Sequence, residues 1–547
     1  MKKIFTLFII FSIGMLIFST GCRKKIRITG RDTSIDTSNA YNKIFLDSIT
    51  LRKFTEIHKI PETTADRMIS FYSARNYAYA WFSPEGIPEQ THTFWNILKN
   101  YVSYSADSSV FEKSFAQKME NILILEKFVI PHDSAFKKME MELTYTFFKY
   151  ASKAYEGRDD FDMKSLEWFI PRKQVNTTAL LDSLVINKGK KLDKYEPVNE
   201  QYRKLRTSLF KYRNIQSAGG WQKIAWQGKS LKKGERNLLI TATKKRLATE
   251  GHFPTTDTSD LYNDELEATI NGIRLVYGLS ANGEISKSLI DKLNKPVGER
   301  IEQILINMER MRWLPDNIRG NYIIVNIPEY MLHVYEQDKP AWNMNVVVGK
   351  ESTGTTIFTG NLTTIVFSPY WGVPTSIVKN EIMPKLRGSY LSRNHMEIYG
   401  YAGNIPLIRQ KPGPWNSLGA VKFLFPNSYN IYFHDSPAKS LFNENKRSFS
   451  HGCIRLKEPF KMAQYLLRND TLWNDEKIKA AMNKTTETYV KLKNPVPVLI
   501  AYFTTWVDDN GNLNFRDDIY GHDKKMAEKM FTKKADTAKL PVNSAKK

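Results

Sequence analysis

The hydrophobic period of this sequence changes near residue 320, and that change limits the chain to folds with separate helical and β-rich parts. Between about residues 45 and 215, apolar side chains recur at three- and four-residue steps, as at Leu143, Phe147 and Tyr150, which is typical of helices. From Asn321 onward the apolar runs are short and rich in β-branched and aromatic residues. Because single cores usually stop growing near ~250 residues, a chain of 547 residues is predicted to be a multidomain α+β protein.

The helical part divides into two predicted units. Residues 45–220 predict an α-helical scaffold domain without obvious catalytic residues. Residues 225–295 contain three shorter helical stretches, of which the first carries Leu239 and Leu247 on one face and stops at Gly251. These stretches predict a small three-helix bundle.

A β-rich domain is predicted for residues 320–505, followed by a C-terminal extension and lysine-rich tail at 506–547. Between Ile377 and Pro414 lies a stretch that is longer than a simple connection, and it is therefore a candidate lid insertion. The predicted strands are Tyr322–Asn326, Leu332–Tyr335, Asn345–Gly349, Leu362–Phe367, Val421–Phe425 and Ile431–His434.

The N-terminus has the pattern of an export signal over residues 1–21. A charged start at Met1–Lys3 precedes the apolar run Ile4–Phe18, which is below the ~20 residues needed to span a bilayer. The segment resembles a bacterial lipoprotein signal, which implies lipidation of Cys22 and a linker over residues 22–42. We therefore expect an exported, periplasmic, lipid-anchored protein of the cell envelope; the alternative is an uncleaved membrane anchor with an incidental cysteine.

The sequence contains two cysteines, Cys22 and Cys453. If lipid occupies the first, the second has no intramolecular partner. A lone thiol in an oxidising compartment calls for a chemical explanation, although a buried inert thiol is the alternative.

The formal net charge of +23 favours anionic partners. An exported chain meets anionic lipids and acidic cell-wall peptides before any nucleic acid, so envelope polyanions are the expected partners and nucleic acid is not. Part of this charge lies in the tail Lys524–Lys547, which is typical of a solvated segment.

Two segments of the β-rich domain carry the candidate chemistry: a predicted strand that ends at His434, and the motif Ser450–Cys453. A free thiol is mostly protonated at neutral pH, so a nucleophilic cysteine needs a nearby base or cation. His434 is the candidate base, since a strand end fixes its position, and His451 is a rival by proximity in sequence. Each residue alone is more often structural, whereas the combination indicates an active site.

A histidine at a strand end followed by Ser-His-Gly-Cys resembles the catalytic domain of the L,D-transpeptidase (YkuD-type) family. The segments Ser368–Pro374, Lys411–Gly419 and Val421–Asn427 resemble its larger YcbB-like branch. That resemblance implies an α-helical scaffold domain, a three-helix peptidoglycan-binding-like domain and a β-rich catalytic domain, in the same order as the three predicted units.

The resemblance also implies the roles of individual residues. Cys453 is expected to be the nucleophile and His434 the base, oriented by the backbone carbonyl of Asp435. The backbone amides of His451, Gly452 and Cys453 are expected to form the oxyanion hole. Neither a metal nor an organic cofactor is implied. Substrate contacts are implied for Arg455, Tyr432, Asn416 and Trp371.

The activity implied by the resemblance is L,D-transpeptidation of peptidoglycan stem peptides. Cys453 would form a thioester with the third residue of a donor tetrapeptide, and an acceptor amine would resolve it into a 3,3 crosslink. Water as acceptor would give an L,D-carboxypeptidase. A non-catalytic peptidoglycan-binding lipoprotein is the alternative from another class, and carbapenems, which acylate this family's cysteine, discriminate the two.

Overall fold

The computed structural model describes residues 31–32, 42–124, 134–190, 196–315 and 318–531. The predicted export signal, Cys22 and the tail beyond residue 531 lie outside the described residues. Among the helices that are described, none combines the length and apolarity that a bilayer crossing requires. The chain divides into two compact units, Met1–Ser152 with Asn176–Glu196, and Lys153–Val175 with Pro197–Lys547.

The first unit is helical, as the sequence predicts. Its aromatic core includes Trp81, Phe94 and Phe147, whose rings contact one another. The helices are α1 (Ser48–Ile57), α2 (Glu62–Ala74), α3 (Glu89–Ser105), α4 (Lys113–Leu123), α5 (Ser134–Ala151) and α6 (Thr177–Ile186).

A buried carboxylate ties the helices of this unit to the chain between α2 and α3. Glu140 on α5 has no exposed surface. Its Oε1 accepts hydrogen bonds from the Ala80 amide at 2.6 Å and the Tyr72 hydroxyl at 2.9 Å, and its Oε2 accepts one from the Trp81 amide at 3.1 Å. Buried polar groups are stable only when they are paired in this way.

The second unit begins with helices and contains the predicted three-helix bundle. Each bundle helix starts at a residue whose side chain accepts a backbone amide of the first turn, namely Asn237, Asn263 and Ser286. A further long helix, α11, was not predicted. The helices are α7 (Glu200–Ser217), α8 (Leu238–Thr249), α9 (Asp264–Val276), α10 (Lys287–Leu293) and α11 (Val297–Trp313).

The strands of the β-rich domain form a nine-stranded sheet in the order β10-β3-β11-β9-β8-β4-β12-β1-β2, and an additional β2–β3 pairing closes eight of them into a barrel. Alternate residues fill its interior, among them Val325, Leu332 and Val346, which are fully buried. The strands are β1 (Tyr322–Asn326), β2 (Met331–Glu336), β3 (Lys339–Gly349), β4 (Phe358–Phe367), β8 (Val421–Leu424), β9 (Phe433–His434), β10 (Ser448–Ser450), β11 (Ile454–Leu456) and β12 (Thr488–Ala501).

All six predicted strands are present, although β9 starts two residues later than expected. Strand β12 was missed. Its first half alternates apolar residues with exposed lysines, and Pro495 and Pro497 interrupt the rest. A hairpin of β13 (Thr505–Val507) and β14 (Leu513–Phe515) follows, and three helices complete the unit: α12 (Pro459–Leu467), α13 (Asp475–Met482) and α14 (His522–Phe531).

The candidate lid is a folded subdomain inserted between β4 and β8. It contains a three-stranded antiparallel sheet in the order β5-β7-β6 and four short helical turns. Val373, Val378, Ile382 and Ile408 form its own buried cluster. Its strands are β5 (Trp371–Gly372), β6 (Met396–Ala402) and β7 (Ile405–Gln410), and its turns are Thr375–Ile377, Val378–Ile382, Met383–Lys385 and Tyr390–Arg393.

We expect Glu140→Ala to destabilise the first unit strongly, because it leaves the buried amides of Ala80 and Trp81 without an acceptor. An unsatisfied buried donor costs about 1–3 kcal/mol, so the loss in unfolding free energy should be about 3–5 kcal/mol. Chemical denaturation followed by tryptophan fluorescence measures it. The matched control is Glu56→Ala at an exposed position of α1, and equal midpoints for the two variants would refute the role of Glu140.

Candidate active site

The pairing of β9 with β11 brings the two predicted catalytic residues onto one face of the barrel. These strands are parallel, with His434 opposite Arg455 and Phe433 opposite Ile454. Cys453 immediately precedes Ile454, whose amide donates to the Tyr432 carbonyl at 3.2 Å. Because side chains alternate between faces, Cys453 and Arg455 share the face of Tyr432 and His434.

One backbone hydrogen bond orients the His434 ring. Its Nδ1 lies 2.5 Å from the Asp435 carbonyl oxygen. A carbonyl can only accept, so Nδ1 carries the ring proton and Nε2 is the basic nitrogen. Burial lowers the pKa of His434 to about 4, and the Arg455 charge adds to that effect. The imidazole is therefore neutral at pH 7.

Three contacts fix the side chain of Asp435, the residue whose backbone carbonyl orients the His434 ring. Its carboxylate accepts from the Ser436 amide at 2.7 Å and the Ala420 amide at 2.9 Å, and pairs with Lys439 at 2.5 Å. Gly419 has φ +64°, and a Cβ there would lie 2.3 Å from the Asp435 carboxylate. Only glycine fits at this position, so the loop before β8 is part of the support of the site.

The Cys453 thiol is surrounded by groups of the Asn430–Tyr432 segment. Its Sγ donates to the Asn430 carbonyl at 3.5 Å, and the nearby amide and hydroxyl of Tyr432 act to lower its pKa. Burial raises the pKa of the thiol despite these contacts. The resting pair is therefore a neutral thiol with a neutral imidazole, not a thiolate with an imidazolium.

Ser450 shapes the turn that presents the cysteine. Its Oγ donates to the Cys453 carbonyl at 2.5 Å and accepts from the Gly452 amide at 3.1 Å. Gly452 has φ +115°, and its carbonyl accepts from Thr355 Oγ1 at 2.8 Å. The Gly452 amide is thus occupied, which corrects the prediction that it belongs to the oxyanion hole. The amides of His451 and Cys453 stay the predicted donors.

A contact between His451 and Glu381 joins the Ser450–Cys453 motif to the lid. His451 Nε2 lies 3.2 Å from Glu381 Oε1, and Glu381 belongs to the helical turn Val378–Ile382 of the lid. Both side chains are about half exposed. The His451 ring therefore points to the lid, whereas the His434 ring is buried on the face that carries the thiol.

Four residues were predicted to contact substrate, and the structure places them differently. Tyr432 lies against the thiol, and Arg455 lies on the same face with a buried Nε that has no hydrogen-bond partner among the described residues. Trp371 is half-buried and packs on the lid cluster. Asn416 is fully buried.

The burial of Asn416 corrects the expectation that its side chain meets a substrate. Its Nδ2 donates to the carbonyls of Pro369 at 2.9 Å and Lys411 at 3.0 Å, and its Oδ1 accepts from the Leu418 amide at 2.8 Å. Pro369 precedes the lid and Lys411 follows its last strand. Asn416 therefore fastens both ends of the lid to the loop that supports His434.

Sequence reasoning missed Lys422 and Glu487, which lie on the catalytic face. Lys422 is the register partner of His434 across β8 and β9, and its Nζ lies 3.7 Å from Glu487. The alternation within Val421–Phe425 places Lys422 outside the core and was the available signal. No sequence signal links Lys422 to Glu487, because the fold of the barrel brings the two together.

The described residues contain no cluster of histidine, cysteine and acidic side chains suited to a metal ion.

We expect alkylation of Cys453 by iodoacetamide to accelerate with pH beyond the ordinary cysteine range, because burial raises the pKa of the thiol and only the thiolate reacts. Peptide mapping after timed reaction between pH 6 and 10 measures the rate at this residue. Arg455→Gln should move the midpoint higher still, since the Arg455 charge favours the thiolate. A rate that is already constant below pH 7 would indicate a preformed ion pair and contradict this account.

Two family models match separate parts of the chain. Residues 320–498 match the family of the L,D-transpeptidase catalytic domain (YkuD), and residues 66–209 match the scaffold-domain family. A curated Haemophilus influenzae protein, provisionally named an L,D-transpeptidase, is 29% identical over 243 residues. The match spans 41% of this chain and about half (49%) of the relative's length.

Among solved structures, an L,D-transpeptidase from Mycobacterium smegmatis is 16% identical, with 33% of this chain and 58% of that chain covered and a TM-score of 0.19. An L,D-transpeptidase from Stackebrandtia nassauensis is 13% identical, with 50% and 94% covered and a TM-score of 0.22. TM-scores this low do not support an argument about the fold. The two family matches show that the chain carries a YkuD-type L,D-transpeptidase catalytic domain together with a scaffold domain, which is the combination of the YcbB-like branch of that family.

Proposed function

We propose that this protein is a peptidoglycan L,D-transpeptidase that forms 3,3 crosslinks through a thioester on Cys453. The observation that carries the proposal is the β9–β11 pairing, which sets a buried neutral imidazole on the same face as the thiol of the Ser450–Cys453 motif. The match to the catalytic-domain family supports the same reaction class.

Acylation follows from the protonation states at rest. Nε2 of His434 takes the thiol proton as sulfur attacks the carbonyl carbon of the third stem residue. The amides of His451 and Cys453 donate to the oxyanion, and one such preorganised donor is worth about 3 kcal/mol in the transition state. The intermediate collapses to a thioester, and the imidazolium gives its proton to the departing amine of the terminal D-alanine.

Deacylation reverses these proton transfers. The amine of an acceptor stem attacks the thioester carbonyl and passes a proton to His434, and the thiol is regenerated as the crosslink forms. Water in place of the amine gives a tripeptide, which is the L,D-carboxypeptidase outcome. The third possibility is a non-catalytic peptidoglycan-binding protein. Binding alone does not require a thiol and an oriented His434 on one face, so the geometry favours the enzyme.

We expect purified protein to convert disaccharide tetrapeptides into 3,3-linked dimers with release of D-alanine, as read by liquid chromatography and mass spectrometry. Cys453→Ala should lower the rate by on the order of 10³ or more with an unchanged melting temperature, and His434→Ala should lower it by roughly 10²–10⁴. His252→Ala, outside the site, is the control. Tripeptide without dimer would indicate a carboxypeptidase, and loss of stability in Cys453→Ala like that of a core deletion would favour a structural thiol.

The proposal includes export and a lipid on Cys22, which the sequence of the N-terminus supports. In a bacterial host, we expect labelled palmitate to be incorporated into the wild-type chain, which should fractionate with membranes. Cys22→Ser should lose both the label and the membrane association, because one residue carries the lipid. Cys453→Ser is the matched control, and equal labelling of wild type and Cys22→Ser would refute the anchor.

A further inference from the structure

The peptide group between Gly452 and Cys453 is held at its carbonyl end. The Gly452 carbonyl accepts a hydrogen bond from the hydroxyl of Thr355 at 2.8 Å, and Thr355 is fully buried. A peptide group is planar and trans, so its carbonyl and its amide point in opposite directions. The contact therefore fixes the direction of the Cys453 amide, a predicted donor to the oxyanion, which has no acceptor in the part of the chain that the structure describes.

The neighbouring peptide group, between Ser450 and His451, is held in the same way. The Ser450 carbonyl accepts from the Lys350 amide at 2.9 Å and from the Thr353 hydroxyl at 3.3 Å. The His451 amide at the other end of this peptide group is the second predicted donor. Both donors are therefore oriented by the loop 350–357, which connects β3 to β4.

The Thr355 hydroxyl joins the end of a barrel strand to the Ser450–Cys453 motif. Its oxygen accepts from the Gly349 amide at 2.9 Å, which leaves the hydroxyl proton for the Gly452 carbonyl. Gly349 is the last residue of β3 and the register partner of Ser450 on β10. The loop and the motif are thus tied to the same point of the barrel.

A buried tyrosine of the C-terminal extension completes this network. The Tyr520 hydroxyl donates to the Gly349 carbonyl at 2.6 Å and accepts from the Thr355 amide at 3.2 Å. The Tyr520 amide donates to the Tyr502 hydroxyl at 2.9 Å, and that hydroxyl donates to Asp518 at 2.7 Å. Tyr520 is therefore fixed at its backbone and at its hydroxyl, although it lies beyond residue 498, where the match to the catalytic-domain family ends.

We propose that Thr355 and Tyr520 are positioning residues for the oxyanion hole. Thr355 orients the Cys453 amide through the Gly452 carbonyl, and Tyr520 holds Thr355 in place from the C-terminal extension. The catalytic unit therefore includes this extension as far as Tyr520. The inference rests on the proposed function, because it assigns two residues to the oxyanion of that reaction.

The test compares two reactions of the Cys453 thiol in the full-length protein. Acylation by a carbapenem passes through a tetrahedral intermediate with an oxyanion. Alkylation by iodoacetamide displaces iodide from a saturated carbon and forms no oxyanion. A misdirected donor should slow acylation alone, whereas a general loss of structure or of thiol reactivity should slow both reactions. The intact mass of the protein against time gives both rates.

Thr355→Val removes the hydroxyl and keeps the shape of the side chain. We expect it to slow acylation by about 10- to 100-fold, a part of the roughly 10²–10³ lost with a whole donor, and to leave alkylation almost unchanged. Thr355→Ser keeps a hydroxyl and should acylate at close to the wild-type rate. Thr356→Val, the same substitution at the half-buried neighbour, is the matched control.

Tyr520→Phe removes the second hydroxyl of the network. It should slow acylation by about 2- to 10-fold, the range of one neutral hydrogen bond, again without slowing alkylation. Tyr322→Phe, at a half-buried position of β1, is the matched control. Because this variant leaves Thr355 intact, it decides the question even where Thr355→Val does not fold.

Two outcomes would overturn the inference. One is that Thr355→Val and Tyr520→Phe slow acylation and alkylation equally, and the other is that both variants acylate at the wild-type rate. A wild type that is alkylated at Cys453 but carries no carbapenem adduct would instead overturn the proposed function.

Discussion

The hydrogen bond between His434 Nδ1 and the Asp435 carbonyl is the interaction on which the rest of the site depends. It sets the tautomer, and the tautomer decides which nitrogen can take a proton from the thiol. The carbonyl stays in place because the Asp435 carboxylate accepts two backbone amides and pairs with Lys439. The same carboxylate requires glycine at position 419, so the loop before β8 and the catalytic base form one assembly.

Burial then determines the kind of catalysis. Desolvation raises the pKa of Cys453 and lowers that of His434, so both groups rest neutral. In the proposed mechanism, the thiolate is therefore generated as the substrate is attacked and is not present at rest. A protonated thiol also resists oxidation, because the thiolate is the form that oxidants attack.

Local sequence was sufficient to predict that His434 and Cys453 lie on one face, since a strand end and a four-residue motif contain them. Local sequence was insufficient where a side chain hydrogen-bonds a backbone amide. The Ser450 hydroxyl occupies the Gly452 amide, and only the folded turn reveals this. Asn416 lies in a segment that resembles the family and was predicted to contact substrate. It is instead buried, and its side chain holds both ends of the lid.

Local sequence patterns did not predict contacts between segments that are distant in the chain. The fold class and the order of helical and β-rich parts followed from periodicity, but the closure of the barrel by β2 and β3 did not. The β4–β8 and β4–β12 pairings bring Lys422 and Glu487 together. The contact of Glu381 with His451 likewise depends on how the lid folds.

The intact mass of the protein after incubation with a carbapenem shows whether Cys453 is the acyl-accepting nucleophile. We expect one adduct per chain, mapped to Cys453 by peptide fragmentation and absent from Cys453→Ala. A folded protein that stays unmodified, or that carries its adduct on another residue, would contradict it.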